Sequence, residues 1–122
     1  MKLPFFQIDA FADAPFAGNS AAVTPLERFL PARQMQQIAM ENNLSETAFI
    51  VRTGPARFDL RWFTPTIEVP LCGHATFASG FVALNYLGVE GDLVTFDTLS
   101  GPLSVARAAD GQLAMRLPRE AP

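Results

Sequence analysis

The apolar positions of this chain change period several times along its length. Residues 55–65, PARFDLRWFTP, alternate: Phe58, Leu60 and Trp62 fall on one side, Asp59 and Arg61 on the other. That period of two marks a half-buried strand. Residues 46–52, ETAFIVR, alternate in part, and the intervening TGPA makes the pair a hairpin. LPFFQIDAF (3–11) also has strand character; a turn-rich ADAPFAGNS and a short strand AAVTPL follow it. Between them and the hairpin, PARQMQQIAMENN (31–43) has helical spacing, with Met35, Ile38 and Ala39 on one face. Pro31 is expected at the first helical position, and the Asn42–Asn43 pair as the stop.

The stretch 73–86, GHATFASGFVALNY, shows neither pattern. It is apolar on every side and dense in small residues: Ala75, Ala78, Ser79, Gly80 and Ala83. It is long for a strand, and as a helix it must be buried all round. Gly88 ends it. DLVTFDTLSG, PLSVARAA and GQLAMRLP then read as three short strands joined by the turns LSGP and ADGQ. The elements predict an α+β domain. A mixed, mainly antiparallel, barrel-like sheet wraps around a buried helix at about 73–87, with a second helix outside at about 31–42.

Composition narrows the function. With 49% hydrophobic and 17% charged residues, 122 residues can form a real core, and disorder is excluded. A net charge of −3 offers no basic footprint for nucleic acid. No stretch reaches a strongly apolar membrane span, and MKLPFFQIDAFADAP is not a signal peptide. One cysteine allows no internal disulfide or cysteine zinc cluster, no metal site is expected, and the usage fits a reducing cytoplasm.

That cysteine and the only histidine lie two residues apart, in CGHAT at the mouth of the apolar helix. The first amides of a helix lack internal partners, and the dipole is positive there. Gly73, His74 and Ala75 would therefore form an anion site, suited to a carboxylate. The thiolate of Cys72 would be favoured, and His74 pushed toward neutral. Taken singly, His74 is as well a structural or capping group, and Cys72 a small buried hydrophobe. NNLSETAF puts Glu46 where a helix ends and an apolar strand begins. There it is a partly desolvated carboxylate, as a general acid/base requires, or else a solvated loop residue or a group in a cap interaction with Ser45. Gly18–Asn19, in FAGNSAAV, reads equally as a turn.

Three segments taken together are more specific. IDAFADAPFAGNSAAV, QMQQIAMENNLSETAFIV and RWFTPTIEVPLCGHATFASGFVAL occur in order with matching gaps. The chain resembles the PhzF-like family of phenazine biosynthesis, related in fold to diaminopimelate epimerase and proline racemase, from Phe6 to about Leu117. The resemblance implies two similar lobes, each a sheet around a central helix, with the active site in the cleft between them. It implies a cofactor-independent isomerase or epimerase that moves a proton on a small carboxylate substrate. Glu46 falls on the family's acid/base, Gly73 and His74 on substrate contacts, and Asn19 on a motif near the cleft. Cys72 departs from the phenazine enzyme, which has a small non-thiol residue there; the amino-acid epimerases place an acid/base cysteine at that helix mouth. Cys72 is thus a candidate second catalytic group beside Glu46.

Members of that family are about twice this length. Residues 1–117 are expected to be the N-terminal lobe and 118–122 the start of an inter-lobe linker, with the second lobe absent. A second lobe or a homo-oligomer partner would be needed to complete the site, and this half alone should be inactive. The alternative is a stand-alone half-lobe that binds small anions or partners without chemistry.

Overall fold

A computed structural model describes residues 5–9, 20–44, 46–69, 73–108 and 113–116; for 8, 9, 20, 73–75 and 114–116 the description is of the backbone. Eight strands and two helices lie within them. The strands are β1 (Phe6–Asp9), β2 (Ser20–Leu26), β3 (Glu46–Gly54), β4 (Arg57–Phe63), β5 (Glu68–Val69), β6 (Leu93–Thr98), β7 (Gly101–Arg107) and β8 (Leu113–Arg116). The helices are α1 (Ala32–Asn42) and α2 (Gly73–Tyr86). The α+β class is as expected. The strands form one sheet in the order β1-β2-β3-β4-β6-β7-β8, with β5 also on β4. Five of the seven pairings are antiparallel; β2 with β3 and β4 with β6 are parallel.

The alternation in β4 lies as read. Phe58, Leu60 and Trp62 are buried on the face that meets α2, together with Ala48, Ile50, Val94, Phe96, Leu103 and Val105. Burying each large apolar side chain there contributes about 1.5–3 kcal/mol. α2 contacts β2, β3, β6, β7 and β8, so the sheet curls around it. Thr76, Ala78, Ser79, Val82, Ala83 and Leu84 are buried, but Phe77 and Phe81 are half-buried and Asn85 is exposed along one strip, so the expected burial all round the helix does not hold. Small residues permit this fit: a Cβ placed on Gly80 would lie 2.6 Å from Val105 Cβ. Gly88 follows at φ +70°, a left-handed turn that glycine adopts without strain. No helix among the described residues is long and apolar enough to cross a membrane.

The opposite face carries α1. Met35, Ala39, Phe49 and Phe63 are buried between helix and sheet, with Ile38 packed at the edge. Asn43 ends α1 in the left-handed conformation, φ 52°, its N–H donating to Ala39 O at 3.2 Å. The Asn42–Asn43 stop is therefore where it was read. Pro31 differs: it is the N-cap, with ψ 142°, and not the first helical residue. Its carbonyl accepts from the N–H groups of Gln34 and Met35, so the ring starts the helix from outside it. The two-residue β5 was not anticipated. TPTIEVP has no run long enough to show a period, and β5 exists only because the Trp62–Phe63 edge of β4 is there to pair with it.

Candidate functional site

Strand directions bring one set of ends together. Arg52 in β3 donates to Leu87 O at 2.7 Å, to Pro55 O at 2.6 Å and to Gly54 O at 3.1 Å. The C-terminal end of α2 is thereby tied to the β3–β4 hairpin. From there α2 runs back over 14 residues, about 21 Å at 1.5 Å per residue. From Arg52 back to Glu46 along β3 is about 20 Å at strand rise. Gly73 and Glu46 are therefore both at the ends of their elements remote from the Arg52–Leu87 link.

Chain connectivity agrees. Val69 in β5 stands opposite Trp62, which stands opposite Ala48, two residues after Glu46. Only residues 70–72 separate Val69 from α2. β4's outer edge is shared: β6 pairs with its first half, at 57–59, and β5 with its second, at 62–63. β5 thus holds the edge at the Glu46 end, and the chain turns from it into α2. β2 begins there as well, with Ala21 opposite Glu46.

Glu46 opens β3, as read. The parity of the strand puts it on the face of Ala48 and Ile50, toward α2. Its Oε2 is buried while the residue as a whole is partly exposed. Asn42 Nδ2 donates to Thr47 Oγ1 at 3.2 Å and joins the end of α1 to the start of β3, which fixes the turn before Glu46. The α2 backbone begins at Gly73 and includes His74, so the first-turn amides of both are at the helix end, the polarity an anion requires. Cys72 and Asn19 lie outside the described residues, as do Ser45 and the His74 side chain.

The turn between β4 and β5 is braced from several directions. Arg61 makes a two-pronged ion pair with Glu68, both distances 2.8 Å, and its guanidinium lies over the rings of Phe29 and Phe63. The hydrogen bond from Arg61 to Glu68, and then their charges, raise the guanidinium pKa further against the cost of burial. Thr64 Oγ1 accepts from the N–H groups of Thr66 and Ile67, and Gln36 of α1 donates to Thr64 O at 2.9 Å. Sequence reading took Arg61 as a solvent-face residue and gave Glu68 no role. Their link is visible only once β5 folds back on β4.

Comparison with known proteins decides the family. The model of the phenazine biosynthesis-like protein family, PhzC-PhzF, matches residues 8–121. The chain belongs to this family. The uncharacterized isomerase PA2770 of Pseudomonas aeruginosa is 54% identical over the whole chain, and the mouse phenazine biosynthesis-like domain-containing protein 1 is 52% identical over 91% of it. The chain spans 46% and 41% of those two relatives. Among solved structures, a PhzF-family protein of Enterococcus faecalis is 51% identical, with a TM-score of 0.81 over 89% of this chain and 42% of its own. PA4716 of P. aeruginosa, described as a predicted epimerase, is 27% identical, with a TM-score of 0.71 over 88% of this chain and 40% of its own. The resemblance read from the three motifs is thus shown, and so is the lobe fold it implied.

Proposed function

We propose that this chain forms one wall of the active site of a cofactor-independent isomerase or epimerase that acts on a small carboxylate. The observation that carries the proposal is the position of Glu46. It begins β3, on the face toward α2, at the strand end opposite the Arg52–Leu87 link, and α2 likewise begins, at Gly73, away from that link. A carboxylate substrate would accept from the amides of Gly73 and His74, with Asn19 as a further contact. Glu46 would then take a proton from carbon next to that carboxylate. The C–H electron pair moves onto the substrate's oxygens, where the helix amides stabilise the charge. The proton is returned at a second position or from the opposite face, by Glu46 or by a second group. Cys72 is the candidate for that group in this chain.

One wall does not exclude water or supply donors from both sides. The opposing wall would come from the part of the relatives' length that this chain does not span, or from a second chain. The 122 residues alone are then inactive. The names of the relatives support an isomerase, and the single cysteine is consistent with work in a reducing cytoplasm.

The test is proton exchange in deuterium oxide. The full-length protein is incubated with candidate small carboxylates, and deuterium entering the substrate carbon is read by mass. Wild type should exchange, and Glu46→Gln should lose most of the rate. Equal rates in both would remove Glu46 from the chemistry. Anion binding without exchange in either would favour a non-catalytic binding lobe.

A further inference from the structure

Most of the core around α2 is apolar, but a few buried polar groups interrupt it. Among the described residues these are Glu46 Oε2, Trp62 Nε1 and the hydroxyls of Thr76 and Ser79. Trp62 is the unexplained one. The residue is 1% exposed, and its indole N–H has no acceptor among the described residues. A buried N–H without an acceptor is costly, and folded proteins satisfy such groups with buried water where polar partners are near. The alternation of β4 accounts for the ring of Trp62 as core. It does not account for an indole where Phe would bury as well.

The register supplies the partner. Trp62 stands opposite Ala48, and Glu46 is two residues from Ala48 on the same face. Such diagonal neighbours are about 7–8 Å apart, within reach of long and aromatic side chains. One water can span the remaining gap with little loss against a direct bond. A carboxylate oxygen accepts more than one hydrogen bond, so this leaves the other contacts of Glu46 in place. Val69, opposite Trp62 on its other side, is packed against the same core and leads into α2. Trp62 thus stands between the acid/base strand and the segment that enters the helix mouth.

We propose that Trp62 is a positioning residue for Glu46: its indole N–H donates to a buried water, and that water donates to Oε2 of the carboxylate. The ring is held by the core on all sides, so it gives the carboxylate a fixed anchor from the buried side. The exposed side of Glu46 is left to meet substrate. The catalytic meaning of this anchor rests on the acid/base reading above; the anchor itself does not.

Nuclear magnetic resonance separates the two. Trp62 is the only Trp of the 122 residues, and Trp62→Phe assigns its indole N–H in the full-length protein. That resonance should show a cross-peak to a bound water and should change frequency in Glu46→Gln. An indole resonance identical in wild type and Glu46→Gln, or one lacking the water cross-peak, overturns the proposal. Replacing the indole by benzothiophene keeps the ring shape and removes only the N–H, so a folding defect in Trp62→Phe does not obscure the result. In the exchange assay the benzothiophene variant should lose about tenfold in kcat, the loss of one such bond, with KM unchanged. An unaltered kcat also overturns the positioning role. If Glu46→Gln keeps full exchange while the indole still reports it, the acid/base assignment fails and the anchor stands.

Discussion

Gly80 of α2 and Val105 of β7 meet with no room for another atom: a Cβ on Gly80 would fall 2.6 Å from Cβ, Cγ1 and Cγ2 of Val105. The central helix is seated against the sheet through this contact, and its seat determines where its mouth opens. Gly80→Ala should therefore destabilise by about 1–3 kcal/mol, although alanine is the better helix former by about 1 kcal/mol. Urea unfolding would measure it. A neutral or stabilising result would mean that α2 can lift from β7.

Arg52 ties the other end of α2 by its bond to Leu87 O and lies over the ring of Phe58, 5.5 Å from its centroid. Arg52→Met keeps the apolar stem and removes the donors. Since the side chain is exposed, the loss should be about 1 kcal/mol. Hydrogen exchange should quicken in the last turn of α2 and in the hairpin, and remain slow in β6 and β7. Uniform loss of protection would deny Arg52 this local role.

Arg61 and Glu68 are each about three-quarters buried as side chains, at 28% and 24% exposure. At this depth a two-pronged pair is worth more than a surface bridge. Arg61→Met should cost about 1–2 kcal/mol and loosen the β4–β5 turn. Amide resonances of Glu68, Val69 and Gly73 should shift while those of β7 stay fixed. If only the neighbours of residue 61 respond, the turn does not depend on the pair.

The Arg57–Asp97 pair shows a pH effect of known sign. Arg57 Nε and Nη2 donate to the two carboxylate oxygens at 2.7 and 2.6 Å. Those hydrogen bonds, and more weakly the charge of Arg57, hold the Asp97 carboxyl below its ordinary value against the effect of desolvation. A carboxyl depressed in the folded state binds fewer protons there than when unfolded. Its stabilisation is present above the unfolded value of about 4 and is lost as pH falls through the folded one. Carboxyl carbon titration should show the Asp97 midpoint rising in Arg57→Gln. Because both side chains are exposed, stability at neutral pH should change less than for any core substitution here. An unchanged midpoint would show that the pair is not held in solution.

Much of this lobe was legible before folding. Phe58, Leu60 and Trp62 alternate because a pleated strand turns every second side chain inward, a rule that works within seven residues of chain. The apolarity of 73–86 marked a largely buried helix but not the Phe77–Phe81–Asn85 strip that stays open, and Asn42–Asn43 marked the end of α1. The three motifs also pointed to the family and to Glu46 as the residue to watch. What these local patterns could not carry was adjacency. Nothing in EVP announces a strand, and nothing in the spacing says that β4 has β6 along one half of its edge and β5 along the other. Arg61 and Glu68 are partners, and Glu46 and Trp62 diagonal neighbours, only through a register set across the sheet. Local periodicity is a property of neighbouring residues and survives in the unfolded chain. The diagonal placement of Glu46 and Trp62, and the burial of the indole N–H, exist only after distant strands pair and the helix is seated in their curve.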